Sequence, residues 1–497
     1  MQLKVYKQLA GQTAIYGLSS ILGRFLNYLL VPLYTRVFAT GEYGVVTQLF
    51  AYVAFFNILF TYGLETTFFR YFQNEKSNPH VYSTSLLSII ASTVGFTFLI
   101  LLFSGSLSDF ALDGSDNSTL YIKLFAGVLA FDAIAAIPFA RLRQQNKAKR
   151  FAFLRLVNIG LNIALNLFFL ILCPLLIKND TFSWLTTFYN PSFRIGYVFL
   201  SLFISNAITV LMLWPEIFGM PLKFDSVLWK KMIFYSFPLM IAGFAGMINE
   251  TFDRILIPIL LKDKADAMTQ LGIYGACYKL SIIMTLFIQT FRYAAEPFFF
   301  NHATKEKPQL VYAEVMKYFV IVCSFIFLAV MLYIDVVKYF IGPDYRSGLG
   351  VVPILLMANL CLGVFYNLSI WYKLTSKTMW GAWLSVIGAV ITLALNFLLI
   401  PLMGYMGAAW TTLICYASIM IISYFIGQKH YPVPYNISSF FFYISLSIIL
   451  WLFSRFIMES MNVSTKPAMF INALILMLFV WVVWAYERKK INYLRGN

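Results

Sequence analysis

The stretch that decides the fold is Ala10 to Leu33, AGQTAIYGLSSILGRFLNYLLVPL. It is long enough to cross a bilayer, because about 20 apolar residues span the hydrocarbon core as a helix. Arg24 lies near its middle, with no acidic residue within about fifteen positions on either side. A charge at mid-helix costs roughly 2.5 to 3.5 kcal/mol on insertion scales, so it is kept where it faces a wet cavity or a partner. We therefore interpret Arg24 as a residue of a polar cavity within a membrane.

The composition extends this interpretation to the whole chain of 497 residues. Hydrophobic residues make up 60% and charged residues only 12%, which is too few charges to cover a water-soluble globule. The sequence predicts an all-α polytopic membrane protein with about fourteen transmembrane helices. Their expected ranges are 10–35, 45–64, 81–104, 119–140, 152–176, 195–214, 232–251, 271–294, 316–337, 349–372, 380–401, 404–427, 437–457 and 468–486.

The basic residues are distributed unevenly between the two sides of this topology. Loops on the side of the N-terminus carry about twice as many Lys and Arg as the opposite loops, with the largest cluster between Arg141 and Arg155. The positive-inside rule makes that side cytoplasmic and, because the helix count is even, places both termini there. The net charge of +16 is then mainly an orientation signal, and no nucleic-acid partner is expected.

Three short matches recur at a separation of about 230 residues. They pair Tyr43-Gly44 with Tyr274-Gly275, Asn146-Lys147 with Ser376-Lys377, and residues 164–166 with 394–396, both Ala-Leu-Asn. The pattern predicts two parallel six-helix lobes related by an axis along the membrane normal. We place the lobes at 1–220 and 221–430, followed by two additional transmembrane helices and a short cytoplasmic tail at 431–497.

Several kinds of chemistry are not expected. The chain has no GxxxxGK[ST] motif, its three histidines lie far apart, and its five cysteines form no CxxC. The cysteines are interpreted as small core residues, with neither a metal nor a disulfide. The loops are too short for the extramembrane acid pair that a membrane glycosyltransferase needs. The sequence thus predicts neither an enzyme nor a bound cofactor.

Polar residues inside the spans carry the functional signal. Three helices have them at spacings of three and four, which places them on one face: Thr13, Tyr16, Ser20, Arg24 and Asn27; Arg155, Asn158, Asn162 and Asn166; and Thr285, Gln289, Arg292 and Glu296, with Lys279 nearby. Asp132, Glu250, Asp253 and Arg254 also lie in or near spans.

Structural alternatives remain open for most of these polar residues. The asparagines can serve as hydrogen-bonding links between helices. Arg292 and Glu296 can form an ion pair within one helix. Asp253 and Arg254 can extend their side chains to the membrane surface.

The segment from Ser20 to Phe72 resembles the opening of bacterial polysaccharide flippases, which move O-antigen and capsule units. These belong to the multidrug/oligosaccharidyl-lipid/polysaccharide exporter superfamily. The resemblance is carried by PLYTR at 32–36, EYG at 42–44, and the GLE and FFR of 63–70; a second match is FPLMIAGFAGMINETFDRILI at 237–257.

The resemblance implies translocation of undecaprenyl-diphosphate-linked oligosaccharides to the periplasmic leaflet of the bacterial inner membrane by alternating access. Membrane lipids and a polysaccharide polymerase are the other implied partners, and lipopolysaccharide or capsule is the implied product. We hypothesise that Arg24, Lys279 and Arg254 bind the diphosphate and that Asn27, Asn158 and Asn162 contact the sugars. Asp132 and Glu250 are the candidates for ion coupling.

Three alternatives to this function stay open: a multidrug or cation exporter of the same superfamily, a membrane glycan polymerase or ligase, and a flippase for the peptidoglycan precursor, which presents the same diphosphate. Arg24 and Lys279 favour an anionic substrate over a cationic one.

Overall fold

The computed structural model describes residues 22–23, 25–74, 80–114, 117–178, 184, 187, 189–219, 221–303, 306–460 and 465–496. Throughout these ranges the regular elements are helices, without any strand. Eleven of the described helices are long and apolar enough to cross a membrane, or twelve if a pair bent at residue 281 forms one span. The all-α, multi-span prediction is confirmed, whereas the count of fourteen is not. Half of the predicted first helix, 10–35, lies outside the described residues.

The chain divides into two compact units, Met1–Gly272 and Ile273–Asn497. These units are defined by contacts within each, and the division into repeat lobes at residue 220 remains a prediction. The first unit contains the helices α1 Leu30–Val37, α2 Thr40–Thr61, α3 Leu64–Asn74, α4 His80–Leu102, α5 Ser104–Leu112, α6 Ser118–Gln144, α7 Ala148–Leu167, α8 Gly196–Met212, α9 Trp214–Phe218 and α10 Ser226–Leu260.

Helix α11, Lys264–Leu280, contains the boundary between the units. The second unit continues with α12 Ile282–His302, α13 Pro308–Leu332, α14 Val351–Leu368, α15 Ile370–Leu374, α16 Met379–Met403, α17 Tyr405–His430, α18 Ile437–Ser460 and α19 Thr465–Gly496. All five cysteines are buried, as expected for small core residues.

Local chemistry sets several helix ends. Asp225 caps α10, because its Oδ1 accepts hydrogen bonds from the backbone N–H groups of Val227 and Leu228 at 3.0 Å each. Between α2 and α3, Tyr62 and Gly63 adopt left-handed backbone conformations with φ of 34° and 72°. Tyrosine tolerates this region poorly, so tertiary contacts must hold it there. The Tyr62 hydroxyl lies 2.7 Å from Ser88 Oγ on α4.

One of the repeated sequence sites has the same backbone in both units. Asn146, before α7, and Ser376, before α16, each have φ of 57°. The N–H of the next residue returns to the preceding helix in both cases, Lys147 to Leu142 O at 2.9 Å and Lys377 to Tyr372 O at 2.8 Å. Asn and Ser are therefore equivalent here, since both occupy the left-handed residue that closes a helix.

Another repeated site, Tyr43-Gly44, supports close packing inside the first unit. A Cβ on Gly44 would lie 2.0 Å from Met268 O, and one on Gly272 would lie 1.9 Å from Thr40 O. Only glycine permits the backbones of α2 and α11 to approach this closely, a common device between membrane helices. Farther along α2, Phe60 packs into the core of this unit with Leu86 and Leu129.

Candidate functional site

The first unit contains a polar cavity of about 280 Å³. It lies between α2, α6, α7 and α8, with Glu65 of α3 at its edge. Its lining is polar although these helices are largely apolar, and it consists of Asn57, Thr61, Glu65, Phe131, Asp132, Ala135, Ala136, Phe139, Arg143, Arg155, Asn158, Asn206 and Thr209. A polar cavity of this kind in a membrane-spanning bundle is a candidate site for a polar ligand or an ion.

A hydrogen-bond network fixes one wall of the cavity. Asn206 Nδ2 donates to Asp132 Oδ1 at 2.9 Å, and Asn206 Oδ1 accepts from Asn158 Nδ2 at 3.0 Å. Asn158 Nδ2 also donates to Thr209 Oγ1 at 2.9 Å. The network connects helices α6, α7 and α8, so it holds the Asp132 carboxylate in a defined position.

The cavity has two acidic and two basic side chains, but they are arranged differently. Glu65 and Arg143 form an ion pair. Asp132 and Arg155 have no ion-pair partner within 4.0 Å among the described residues. The Arg155 guanidinium lies over the Phe139 ring, 4.1 Å from its centroid, and its side chain is exposed to the open space. A cation held by an aromatic face retains its hydrogen-bond donors for a ligand.

The polar stripe continues along α7 beyond the cavity. Asn162 Nδ2 donates to Asn27 Oδ1 over 3.5 Å, a long contact. Asn166 Nδ2 donates to the Asn162 carbonyl at 2.8 Å, and its Oδ1 accepts from the Tyr34 hydroxyl at 2.9 Å. Asn158 and Asn166 therefore both link helices, as the structural alternative proposed, and Asn158 also lines the cavity.

The structure thus places four predicted site residues in one polar region of the first unit: Asn27, Asn158, Asn162 and Asp132. Arg24 lies outside the described residues, together with Thr13, Tyr16 and Ser20 of its predicted stripe. Their predicted roles stay predictions.

The remaining predicted site residues lie on other helices. Arg254 is half-buried on α10, and Glu250, one turn earlier, is exposed; neither lines the cavity. The backbone N–H of Arg254 donates to Asp253 Oδ1 at 2.8 Å. Lys279 is half-buried on α11, within the second unit.

The ion pair predicted as an alternative on α12 is present in the second unit. Arg292 Nε lies 3.2 Å from Glu296 Oε1, and Lys373 Nζ lies 2.5 Å from the same oxygen. The Arg292 guanidinium also lies 4.7 Å from the centroid of the Tyr366 ring. These contacts are the ones that the structural alternative predicted for Arg292.

Sequence reasoning missed four polar residues that line the cavity. Asn57 and Thr61 are one turn apart on α2, and Asn206 and Thr209 are three positions apart on α8. Each pair interrupts an apolar run at helical spacing, the same signal that identified α7. A pair is a weaker signal than the four residues at this spacing on α7.

The architecture is similar to that of solved membrane transporters. The lipid II flippase MurJ, in an inward closed conformation, matches with a TM-score of 0.71 and 13% identity over 95% of this chain and 98% of that chain. A multidrug resistance MATE family transporter of the MOP superfamily matches in its inward-facing conformation with a TM-score of 0.64 and 11% identity, over 81% of this chain and 93% of that chain. A MATE family transporter in an outward-facing conformation matches with a TM-score of 0.60 and 13% identity, over 84% of this chain and 94% of that chain.

These similarities define the fold: a multi-span membrane protein with the architecture of the lipid II flippase MurJ and of MATE family transporters. The family follows from the sequence. A family model described as polysaccharide biosynthesis protein matches residues 9–302, more than half of the chain, and the chain belongs to that family. The polysaccharide-family resemblance stated above is thereby confirmed. No curated protein sequence matches the chain significantly.

Proposed function

We propose that this protein is a flippase for undecaprenyl-diphosphate-linked oligosaccharides. It moves them from the cytoplasmic to the periplasmic leaflet of the inner membrane by alternating access, for O-antigen or capsule synthesis. Membership of the polysaccharide biosynthesis family supports the substrate class. The fold it shares with a lipid II flippase supports the type of transport.

The polar cavity of the first unit is the observation that carries this proposal. A sugar headgroup cannot cross hydrocarbon bare, so a flippase must provide polar groups at membrane depth. Amides and hydroxyls suit sugar hydroxyl groups because they both donate and accept hydrogen bonds. Asn158, Asn206 and Thr209 supply these groups, and Asn27 and Asn162 extend them along α7.

A flippase for a diphosphate-linked lipid also needs cationic side chains to bind the diphosphate. Arg24, Lys279 and Arg254 are the proposed ligands from the sequence, and Arg155 joins them because it lines the cavity and forms no ion pair within 4.0 Å in the described part of the chain. Charge-assisted hydrogen bonds from arginine to phosphate are among the strongest available. These residues are proposed to bind the diphosphate during the alternating-access movement of the lobes 1–220 and 221–430.

Coupling to an ion gradient is proposed to use Asp132. Its carboxylate lines the cavity and accepts a hydrogen bond from Asn206, which leaves it able to bind a proton or a small cation. Glu250 is the second candidate and is exposed on α10. A carboxylate within a membrane span is a functional candidate because burial there is costly.

The test is a translocation assay in proteoliposomes that contain a fluorescent undecaprenyl-diphosphate oligosaccharide. The wild type, Arg24→Ala and Arg155→Ala are compared for the fraction of lipid that reaches the opposite leaflet. We expect both variants to reconstitute normally and to lose translocation. Full activity in both would refute the role of these arginines, and wild-type protein that moves cationic dyes but no glycolipid would favour the exporter alternative.

A second test uses the native bacterium. Deletion of the gene should cause one undecaprenyl-linked glycan to accumulate on the cytoplasmic face, and its structure would identify the transported unit. The same strain distinguishes O-antigen, capsule and peptidoglycan precursors. Retention of the polysaccharide on the cell surface would contradict the proposal.

A further inference from the structure

A buried carboxylate fixes the connection between α8 and α10 within the first unit. Glu216 lies on α9, and only 9% of its side chain is exposed. Arg150, in the first turn of α7, donates from Nε to Glu216 Oε1 at 2.8 Å and from Nη2 to Glu216 Oε2 at 3.2 Å. The same Nη2 donates to the carbonyl of Met212, the last residue of α8, at 2.8 Å. Glu216 and Arg150 therefore join the start of α7 to the end of α8.

The main chain of Glu216 makes two further contacts. Its carbonyl accepts a hydrogen bond from the Tyr82 hydroxyl at 2.6 Å and another from Arg141 Nη1 at 2.8 Å. Tyr82 lies in the first turn of α4 and Arg141 in the last turn of α6. The Arg141 guanidinium also lies 4.4 Å from the centroid of the Tyr82 ring. One residue of α9 thus contacts α4, α6 and α7.

Three of the helices that meet at Glu216 also form the polar cavity. Asp132 of α6, Asn158 of α7 and Asn206 of α8 make the hydrogen-bond network of the cavity wall. On α7, Arg150 lies about two helical turns before Asn158, so this helix is attached at two levels. A helix attached at one point can turn about that point, whereas two attachments along its length fix its direction. The orientation of α7 in the cavity wall therefore depends on Glu216 as well as on the network.

The second unit has different chemistry at the corresponding place. At the repeat separation of about 230 residues, Arg141 and Arg150 correspond to Trp371 and Trp380. The centroid of the Trp371 ring lies 6.2 Å from that of Trp380 and 5.4 Å from that of His430, the last residue of α17. Aromatic packing therefore connects these helix ends in the second unit, and an ion pair is not required to join them.

The ion pair of the first unit has a geometric property that aromatic packing lacks. A buried ion pair often adds no stability over apolar packing. Its two parallel hydrogen bonds, however, fix the plane of the guanidinium relative to the carboxylate. Neither Glu216 nor Arg150 lines the cavity, so neither contacts a ligand there. These observations favour a role in the geometry of the cavity.

We propose that Glu216 is a positioning residue of the polar cavity. Through Arg150 it holds α7 in the orientation in which Arg155 and Asn158 line the cavity together with Asp132. The ligand of the cavity rests on the proposed function, whereas the positioning is a property of the protein alone. It is therefore tested both without and with the ligand.

The first test measures the separation of α7 and α8 directly. Nitroxide labels are attached to Phe153→Cys on α7 and Leu211→Cys on α8, two exposed positions that do not line the cavity. The five native cysteines are buried, so the new thiols should be labelled preferentially. Pulsed electron–electron double resonance of the full-length protein in nanodiscs should give a narrow distance distribution. Glu216→Ala should broaden it about twofold, because α7 then loses one of its two attachments.

Three further variants make this test specific. Glu216→Ala/Arg150→Ala should be no broader than Glu216→Ala, because the two residues act as a pair. Glu216→Gln, which keeps an acceptor for Arg150, should broaden the distribution less and serves if the alanine variant does not fold. The matched control Glu42→Ala removes a carboxylate that pairs with Arg194 away from the cavity, and it should have no effect. Unchanged width in the Glu216 variants, or equal broadening in Glu42→Ala, would overturn the proposal.

The second test uses binding of the fluorescent undecaprenyl-diphosphate oligosaccharide to purified protein. Glu216→Ala should weaken binding about tenfold in the wild-type background, within the range of coupling between residues of one network. In the Arg155→Ala background the loss should be less than about twofold, because Glu216 acts through the cavity wall. Equal losses in both backgrounds would reveal a general structural weakening and contradict the positioning role. If the wild type binds no glycolipid, the proposed function fails while the label distances still decide the role of Glu216.

Discussion

The two units share a helix-closing turn and an ion pair, but they differ in the size of the cavity beside these two features. In the first, the Asn146 turn follows Arg143, which pairs with Glu65; in the second, the Ser376 turn follows Lys373, which pairs with Glu296. Next to Arg143 is a polar cavity of about 280 Å³, whereas the space next to Lys373 is only about 20 Å³.

The sequence shows which residues of the second unit correspond to the polar residues of this cavity. At the repeat separation of about 230 residues, the positions of Asp132, Arg155 and Asn158 are occupied by Leu362, Ser385 and Gly388. The second unit has the same turn and ion pair without counterparts of Asp132, Arg155 and Asn158. The turn and the ion pair therefore do not depend on these three residues. The difference indicates that the turn and the ion pair are scaffold, and that the cavity-lining polar residues of the first unit are candidates for a separate role.

The largest expected effect tests this division directly. Arg155→Ala should lower the translocation rate about 100-fold, because a hydrogen bond to a charged group contributes about 1.5 to 3 kcal/mol. Ser385→Ala, the corresponding change in the second unit, should leave the rate unchanged. Both rates come from the fluorescent proteoliposome assay, with reconstituted protein quantified for each variant. Equal loss in the two variants would show that the cavity is not the functional difference between the units.

A smaller effect is expected from Asp132→Asn. A gradient of one pH unit provides about 1.4 kcal/mol per proton, so a proton-coupled wild type should be stimulated about tenfold. The amide retains the hydrogen-bond geometry with Asn206 but binds no proton, so this stimulation should disappear. Translocation is measured with and without an imposed pH or sodium gradient. Gradient dependence that persists in both Asp132→Asn and Glu250→Gln would exclude these acids as coupling residues.

The sequence predicted the helices of this framework well, because long apolar runs in a membrane permit little besides a helix. It also predicted Asn158 and Asp132 as functional candidates, since polar residues stand out in such runs. It did not predict that Asn158 would line a cavity in addition to linking helices, whereas Asn166 only links helices, although both lie on one stripe. That distinction depends on the partners Asn206 and Tyr34, which lie on other helices and have no signature of spacing.

The last residues of the repeated Ala-Leu-Asn sequence, Asn166 and Asn396, allow the stability of the two units to be compared. Asn166 and Asn396 are both fully buried, but Asn166 is hydrogen-bonded, whereas neither side-chain polar atom of Asn396 has a partner within the described structure. Asn166→Leu should cost about 1 kcal/mol of unfolding free energy, since it leaves the Tyr34 hydroxyl without its acceptor. Asn396→Leu should be neutral or stabilising, because it removes unpaired buried groups. Denaturant unfolding of purified protein measures both, and a destabilised Asn396→Leu would reveal a bound water or ligand at that position.

The smallest effect concerns the shared ion pairs. Glu65 and Glu296 are similarly exposed, at 41% and 39% of the side chain, so solvent screens them about equally. Glu296 has two cationic neighbours, Lys373 and Arg292, and removing its charge leaves them facing each other. Glu296→Gln should therefore lower the free energy of unfolding by about 1 kcal/mol and Glu65→Gln by about half of that, within the range of exposed ion pairs. Both losses should shrink in 1 M salt, where charges are screened over about 3 Å. If Glu65→Gln instead abolished translocation with little loss of stability, the ion pair beside the polar cavity would belong to the site and not to the scaffold that the two units share.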